Sequence, residues 1–216
     1  MVKYVKILVL FIIACLVVNF VYRIPQVEAK ELLFTFVQVT DPHICKGHPD
    51  WIVRFLLAIK EINKIKPKPD FVFITGDLKD GSYKLFKQLV TKFNLPFYCI
   101  PGNHDVGNKA DPEAEAYYRK EIGPNYYSFK HKGVLCIGLD TQIFNSGDNT
   151  RIQKQLNWLK EELEKSKELV LIFGHYPLYE RSPDEPDGYY NIHQPVREEL
   201  LFLTVSYTHL TLPTKA

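Results

Sequence analysis

Four short polar clusters in this sequence carry side chains that can bind metal ions, and each cluster directly follows an apolar segment. They are Asp41-Pro42-His43, Gly76-Asp77, Gly102-Asn103-His104-Asp105 and Gly174-His175-Tyr176-Pro177. Carboxylate, amide and imidazole groups brought to one place can hold divalent cations that catalyse hydrolysis. The clusters therefore predict metal-assisted chemistry, provided that the fold brings them together.

Each cluster is weak evidence by itself, because Asp-Pro, Gly-Asp and Gly-Asn are ordinary turn sequences. The prediction depends on their joint occurrence after strand-like segments, which are Leu33–Thr40, Phe71–Thr75, Phe97–Ile100 and Leu169–Phe173. Open α/β sheets bind ligands beyond the carboxyl ends of their strands. A single site could therefore collect all four clusters.

The segments between the clusters predict an α/β fold with mixed sheets. Apolar residues at helical spacing indicate helices over Asp50–Lys66, Ser82–Phe93, Asp111–Ile122, Arg151–Ser166 and Gln194–Leu203. Tyr126–Phe129 and Gly133–Leu139 indicate an antiparallel hairpin. Strand-helix units followed by a hairpin require both parallel and antiparallel strand pairs.

Composition indicates one globular domain and gives no sign of nucleic-acid binding. The chain has 216 residues, of which 46% are hydrophobic and 24% charged, and its formal net charge is +2. These values suit a single domain with one core, and no basic stripe accompanies them. Beyond the N-terminal segment the cysteines are Cys45, Cys99 and Cys136, an odd set that does not predict a disulfide framework.

Residues 1–29 have the pattern of a targeting segment. Lys3 and Lys6 precede the apolar run Ile7–Val21, and Val27-Glu28-Ala29 offers a cleavage site. A cleaved signal peptide is the favoured interpretation, and an uncleaved membrane anchor is the alternative. Both place the domain, residues 30–204, outside the cytoplasm as a secreted or periplasmic protein.

The C-terminal residues 205–216 differ in pattern from everything before them. Val205–Thr214 resembles a translated sequencing adapter, which predicts that this tail is not native. The alternative is a genuine β-strand, because the composition of the tail is strand-like.

The four clusters, in this order, resemble those of the calcineurin-like metallophosphoesterases over Leu33–Leu203. Gly107-Asn108 and Asp184–Tyr190 are similar to the branch that contains a single-domain serine/threonine phosphatase. The resemblance implies an α/β fold in which two mixed β-sheets pack as a sandwich flanked by helices. It also implies two divalent metal ions, Mn, Fe or Zn.

The resemblance also assigns a role to each matching residue. Asp41 and His43 would hold the first metal, Asp77 would bridge both, and Asn103 and His175 would hold the second. His104 would protonate the leaving group, with Asp105 as its orienting partner. The family also has a G-H-x-H cluster, which this sequence lacks. We therefore expect the last strands to be missing and the chain as given to be inactive, although its parent is an enzyme.

The function implied is hydrolysis of a phosphate ester by a hydroxide that bridges the two metals. A small-molecule or phosphoprotein phosphomonoester is the favoured substrate. Two alternatives stay open at this point. One is a cyclic-nucleotide or nucleotide phosphodiesterase, and the other is a protein that binds phosphorylated ligands in a metal-dependent way without catalysis.

Overall fold

The chain folds into two facing sheets with helices on their outer sides. We describe it from a computed structural model, which covers residues 34–79 and 83–209. Strands within these residues are β1 (Phe36–Val39), β2 (Phe71–Thr75), β3 (Phe97–Ile100), β4 (Tyr127–His131), β5 (Val134–Gly138) and β6 (Leu169–Phe173). Helices are α1 (Pro49–Ile62), α2 (Tyr83–Val90), α3 (Asn103–Val106), α4 (Pro112–Glu121), α5 (Thr141–Phe144), α6 (Asn149–Lys165) and α7 (Val196–His209).

The described strands form one parallel sheet and one mixed sheet, so the chain is α/β as predicted. In the first sheet β1, β2 and β3 run parallel, with β2 in the centre and buried along its whole length. In the second sheet β5 pairs antiparallel with β4 and parallel with β6. The predicted hairpin is confirmed, and its turn residues Lys132 and Gly133 both have positive φ, as a two-residue hairpin loop favours.

Alternation along the strands sends neighbouring side chains to different layers. On β2, Phe71 and Phe73 face the second sheet, whereas Val72 and Ile74 face the helices. The inner layer is largely aromatic, and the rings of Phe73 and Phe173 stack with their centroids 3.9 Å apart. On the outer faces, clusters of buried apolar side chains join α1 and α2 to the first sheet, and α6 and α7 to the second. Both faces of both sheets are therefore covered.

The predicted long helices are all present, with shifted ends. Helix α4 begins after Asp111, whose side chain accepts a hydrogen bond from the backbone of Ala114, as an N-cap does. Helix α7 runs through His209, so the described part of the predicted non-native tail is helical rather than the alternative β-strand. The N-terminal targeting segment lies outside the described residues. Among the helices of the described part, none has both the length and the apolar character needed to cross a membrane.

Candidate metal centre

The four polar clusters meet at one edge of the sandwich. In the first sheet the parallel order β1-β2-β3 places the loops after these strands side by side, while β6 brings His175 from the second sheet. Backbone hydrogen bonds join the first two loops, from Asp41 N to Gly76 O at 3.2 Å and from His43 N to Asp77 O at 2.9 Å. The predicted convergence at the carboxyl ends of the strands is therefore present.

The backbone of these loops adopts conformations that non-glycine residues rarely take. Asp41, His43 and Asp77 have φ of 54°, 44° and 53°. Such residues cost free energy and cluster at functional sites, where the surrounding structure holds them in place. Gly76, with φ of 91°, is also crowded, because a Cβ there would lie 2.6 Å from His175 Nδ1 and 2.8 Å from the Cα of Gly102.

The buried carboxylate of Asp77 lies at the centre of the site. Its Oδ2 is 3.4 Å from Nε2 of His43, and its Oδ1 is 3.5 Å from Nε2 of His175. Oδ1 also accepts a hydrogen bond from the backbone N–H of His104 at 2.9 Å. The two oxygens of one carboxylate therefore face two different histidines, as a bridging ligand requires.

His175 is held in the tautomer that a metal ligand needs. Its Nδ1 lies 2.8 Å from the carbonyl oxygen of Thr75, and because a carbonyl only accepts, Nδ1 carries a proton. In the neutral ring, Nε2 then presents a lone pair toward Asn103 Oδ1 at 3.1 Å and toward Asp77 Oδ1. Lone pairs that converge without a proton between them leave room for a cation.

The donor set fits divalent cations. Two groups of three residues, His43-Asp77-His104 and Asp41-Asp77-His175, each bring one ligand atom per residue within 4.8 Å of one another, and they share Asp77. Asn103 adjoins the second group through its contact with His175. Mixed carboxylate, amide and imidazole donors suit divalent metal ions. The structure thus places all five predicted ligands at one site.

His104 lies at the exposed side of the centre. Its ring meets that of His43 edge to face, with the centroids 4.7 Å apart. One of its nitrogens is close enough to His43 and Asp77 to act as a ligand as well. Its predicted role as a proton donor that is not a ligand stays a prediction.

Asp105 is buried behind the site and ties its loops together. Its carboxylate accepts hydrogen bonds from the backbone of Leu78 at 3.0 Å, the backbone of Gly102 at 2.9 Å and the hydroxyl of Tyr83 at 3.2 Å. Burial raises the pKa of Asp105 to about 6, although the two backbone bonds oppose the rise. Its predicted role in orienting His104 stays a prediction. The bond from Tyr83 was not predicted, because Tyr83 lies on an apolar helix face typical of a core residue.

A surface recess of about 350 Å³ adjoins the candidate metal centre. Asp41 and His43 form one side, and Trp51 and Arg54 of α1 are among the residues of the other. Sequence reasoning missed both α1 residues, since nothing in a helical pattern indicates which loop the helix will face.

Comparison with known proteins identifies similar chains. A family model described as calcineurin-like phosphoesterase matches residues 34–203. The chain is 32% identical over 199 residues to serine/threonine-protein phosphatase CPPED1 of Danio rerio, covering 78% of this chain and 64% of that protein. It is 37% identical over 153 residues to the probable glycerophosphodiester phosphodiesterase GpdQ of Arcobacter nitrofigilis, covering 65% and 56%. These matches agree with the predicted resemblance.

A structural comparison supports the fold. The purple acid phosphatase PPD1 from yellow lupin (Lupinus luteus) seeds superposes with a TM-score of 0.58 at 16% identity, covering 80% of this chain and 35% of that one. At this identity the likeness concerns the fold alone. The chain spans less than two thirds of the length of the zebrafish protein, at 64%.

Proposed function

The chain belongs to the calcineurin-like phosphoesterase family, and we propose that the protein containing it hydrolyses phosphate monoesters, including phosphoproteins, at the centre around Asp77. The observation that carries the proposal is the position of His43 and His175 against opposite oxygens of one buried carboxylate. Similarity to a serine/threonine-protein phosphatase favours monoesters as substrates.

The ligands divide into two sets that share Asp77. Asp41 and Asp77 lie 3.7 Å and 3.4 Å from Nε2 of His43, so these three residues would hold one divalent cation, and Asp77, Asn103 and His175 would hold a second. Asp41 is also within reach of the second cation, because it groups with Asp77 and His175. Two such cations, when bound, neutralise charge on the phosphoryl oxygens and lower the pKa of a water so that it can attack at neutral pH. The protein's contribution is to fix these ligands in loops whose strained backbone is held in place.

His104 supplies the proton that the leaving group needs. Phosphorus gains a bond to the oxygen of water and loses its bond to the ester oxygen, which takes the proton of His104 as it departs. The side chain is exposed, so it can reach a bound ester, and its backbone is held by the bond to Asp77. A protein that only bound phosphorylated ligands would not need this group.

Hydrolysis of phosphodiesters is the second candidate. Similarity to a probable glycerophosphodiester phosphodiesterase favours it, and a nucleotide diester would use the same ligands. Comparing a mono- and a bis-ester of the same leaving group distinguishes the two activities.

The proposal is tested on the full-length protein, because this chain spans only part of its relatives. We expect p-nitrophenyl phosphate to be hydrolysed faster than bis-p-nitrophenyl phosphate with Mn, Fe or Zn, and turnover to stop on chelation. His104→Ala should lower turnover by roughly 10²–10⁴ while the protein retains its metal. His131→Gln is the control, since His131 pairs with Asp70 at the opposite end of the strands.

Two results would contradict the proposal. Turnover that survives complete removal of the metals would exclude the centre as the catalyst. Unchanged turnover in His104→Ala would remove His104 from the reaction, whereas loss of the metal together with turnover would make it a ligand.

We also propose that the protein acts outside the cytoplasm. The support is the pattern of residues 1–29, with Lys3 and Lys6 before an apolar run and a small-residue site at Ala29. N-terminal sequencing of the exported protein should find a chain that begins at Lys30, and an intact Met1 in a cytoplasmic fraction would contradict the proposal.

A further inference from the structure

The side-chain amide of Asn103 has two unlike ends, and each is held against a different partner. Its Oδ1 lies 3.1 Å from Nε2 of His175, on the side of the candidate cation. Its Nδ2 donates a hydrogen bond to the hydroxyl of Tyr189 at 3.3 Å. Only the oxygen can bind a cation, because the amide nitrogen presents hydrogens and no available lone pair. A rotated amide would therefore direct N–H groups at the metal position.

Two contacts hold the backbone of Gly188, the residue before Tyr189. The N–H of Gly188 donates to Oδ1 of Asn191 at 2.8 Å, and the carbonyl of Gly188 lies 2.9 Å from Nε2 of His193. Asn191 is itself buried, and its Nδ2 donates to Glu185 at 2.7 Å. Tyr189 is itself 54% exposed, and the loop that carries it toward Asn103 is held by these contacts.

A fully buried arginine of α7 braces the rest of this loop. Arg197 donates to the carbonyl oxygens of Ile192 at 2.7 Å and Glu185 at 2.6 Å, and to the carboxylate of Asp187 at 3.1 Å. Three donors of one guanidinium thus hold three points of the segment around Tyr189.

We propose that Tyr189 is a positioning residue that accepts the N–H of Asn103 and so holds its side chain with Oδ1 at the place of the second cation. The inference rests on the proposed function, since it assigns Asn103 to a metal. A group that hydrogen-bonds a metal ligand fixes the ligand's geometry and raises its affinity for the metal. Tyr189 acts here on the amide nitrogen, the end that must be kept away from the cation.

The test compares two neighbouring tyrosines by titrating the metal-free full-length protein with Mn²⁺ and measuring affinity by calorimetry. Tyr189→Phe removes only the hydroxyl and should weaken binding of the second ion on the order of 10-fold. Tyr190→Phe is the matched control, because Tyr190 is 59% exposed and its ring packs edge to face on that of Tyr189. We expect its affinity to match that of the wild type.

A double-mutant cycle shows whether Tyr189 acts through Asn103. In an Asn103→Ala background, Tyr189→Phe should cause no further loss of Mn²⁺ affinity, because the group that it positions is gone. An equal loss in both backgrounds would overturn the inference, as would wild-type affinity in Tyr189→Phe alone. If the wild-type full-length protein bound no Mn²⁺, the proposed metal centre would fail, and the inference with it.

Discussion

Replacing Gly76 by alanine measures how tightly the loops of the metal centre are packed, and Gly133→Ala is its control. Both glycines have positive φ, 91° and 77°, so both variants pay a similar backbone cost of about 1–2 kcal/mol. A Cβ at Gly133 meets nothing within 4 Å. At Gly76 it would lie 2.6 Å from Nδ1 of His175 and 2.8 Å from the Cα of Gly102. The difference between the variants therefore isolates the crowding.

The size of that difference follows from what must move. Normal contacts between heavy atoms are about 3.5–4.0 Å, so the neighbours must retreat by about 1 Å. Moving the ring of His175 breaks its bond to Thr75, which costs about 1 kcal/mol, and separating the loops adds packing strain of about 1–3 kcal/mol. We expect Gly76→Ala to lower the free energy of unfolding by about 2–4 kcal/mol more than Gly133→Ala does.

Urea denaturation of the metal-free proteins, followed by circular dichroism, gives the free energy of unfolding of each variant. The dependence on urea should stay the same in both, because the surface exposed on unfolding hardly changes. Equal losses of stability in Gly76→Ala and Gly133→Ala would refute the reasoning. They would mean that the loops around His175 can open without cost.

Two further predictions concern buried ionisable side chains outside the metal centre. Burial and the nearby negative charge of Glu115 raise the pKa of Asp140 from 3.8 to about 7, so the folded chain holds a proton there that the unfolded chain releases. The proton bound at Asp140 stabilises the folded chain at low pH, and this stabilisation is lost as the pH rises through about 7. Asp140→Asn should therefore make the fall in unfolding free energy between pH 5 and 8 shallower. An unchanged pH dependence in this variant would contradict the assignment. Arg197→Met should lower the free energy of unfolding by about 2–3 kcal/mol, because it removes charge-assisted bonds to buried carbonyls, and should speed proteolysis of the loop 182–190. Arg54→Met, at an exposed position on α1, is its control, and equal stability of the two variants would show that the buried arginine does not brace the loop.

Two strands next to the site, β2 and β6, could be predicted residue by residue, whereas β1 is shorter than the predicted Leu33–Thr40. Phe71–Thr75 and Leu169–Phe173 are continuous apolar runs ended by Gly76 and Gly174, and the structure gives β2 and β6 the same bounds. Predicted ligands such as Asp77 come directly after these runs, so locating the strand also locates the ligand. Local sequence is sufficient to place these ligands because the strand, the glycine that ends it and the ligand lie within a few residues of one another.

Contacts between distant segments could not be predicted in this way. Tyr189 and Asn103 are 86 positions apart, and Tyr83 and Asp105 are 22 apart. The pattern of α2 indicates only that Tyr83 is buried, and it does not show that the hydroxyl has a carboxylate partner. Arg197 is read from sequence as a charged helix residue, whereas the fold buries it completely under the loop that it braces.

The aromatic layer between the sheets has a consequence for how such proteins diverge. Asp77 follows β2 and His175 follows β6, so the stacked rings of Phe73 and Phe173 help to set the distance between a ligand from each sheet. A substitution in this layer alters the spacing of the ligands without touching them. Cations differ in radius and in the geometry that they prefer. We therefore expect these aromatic positions to vary together with metal preference among homologues.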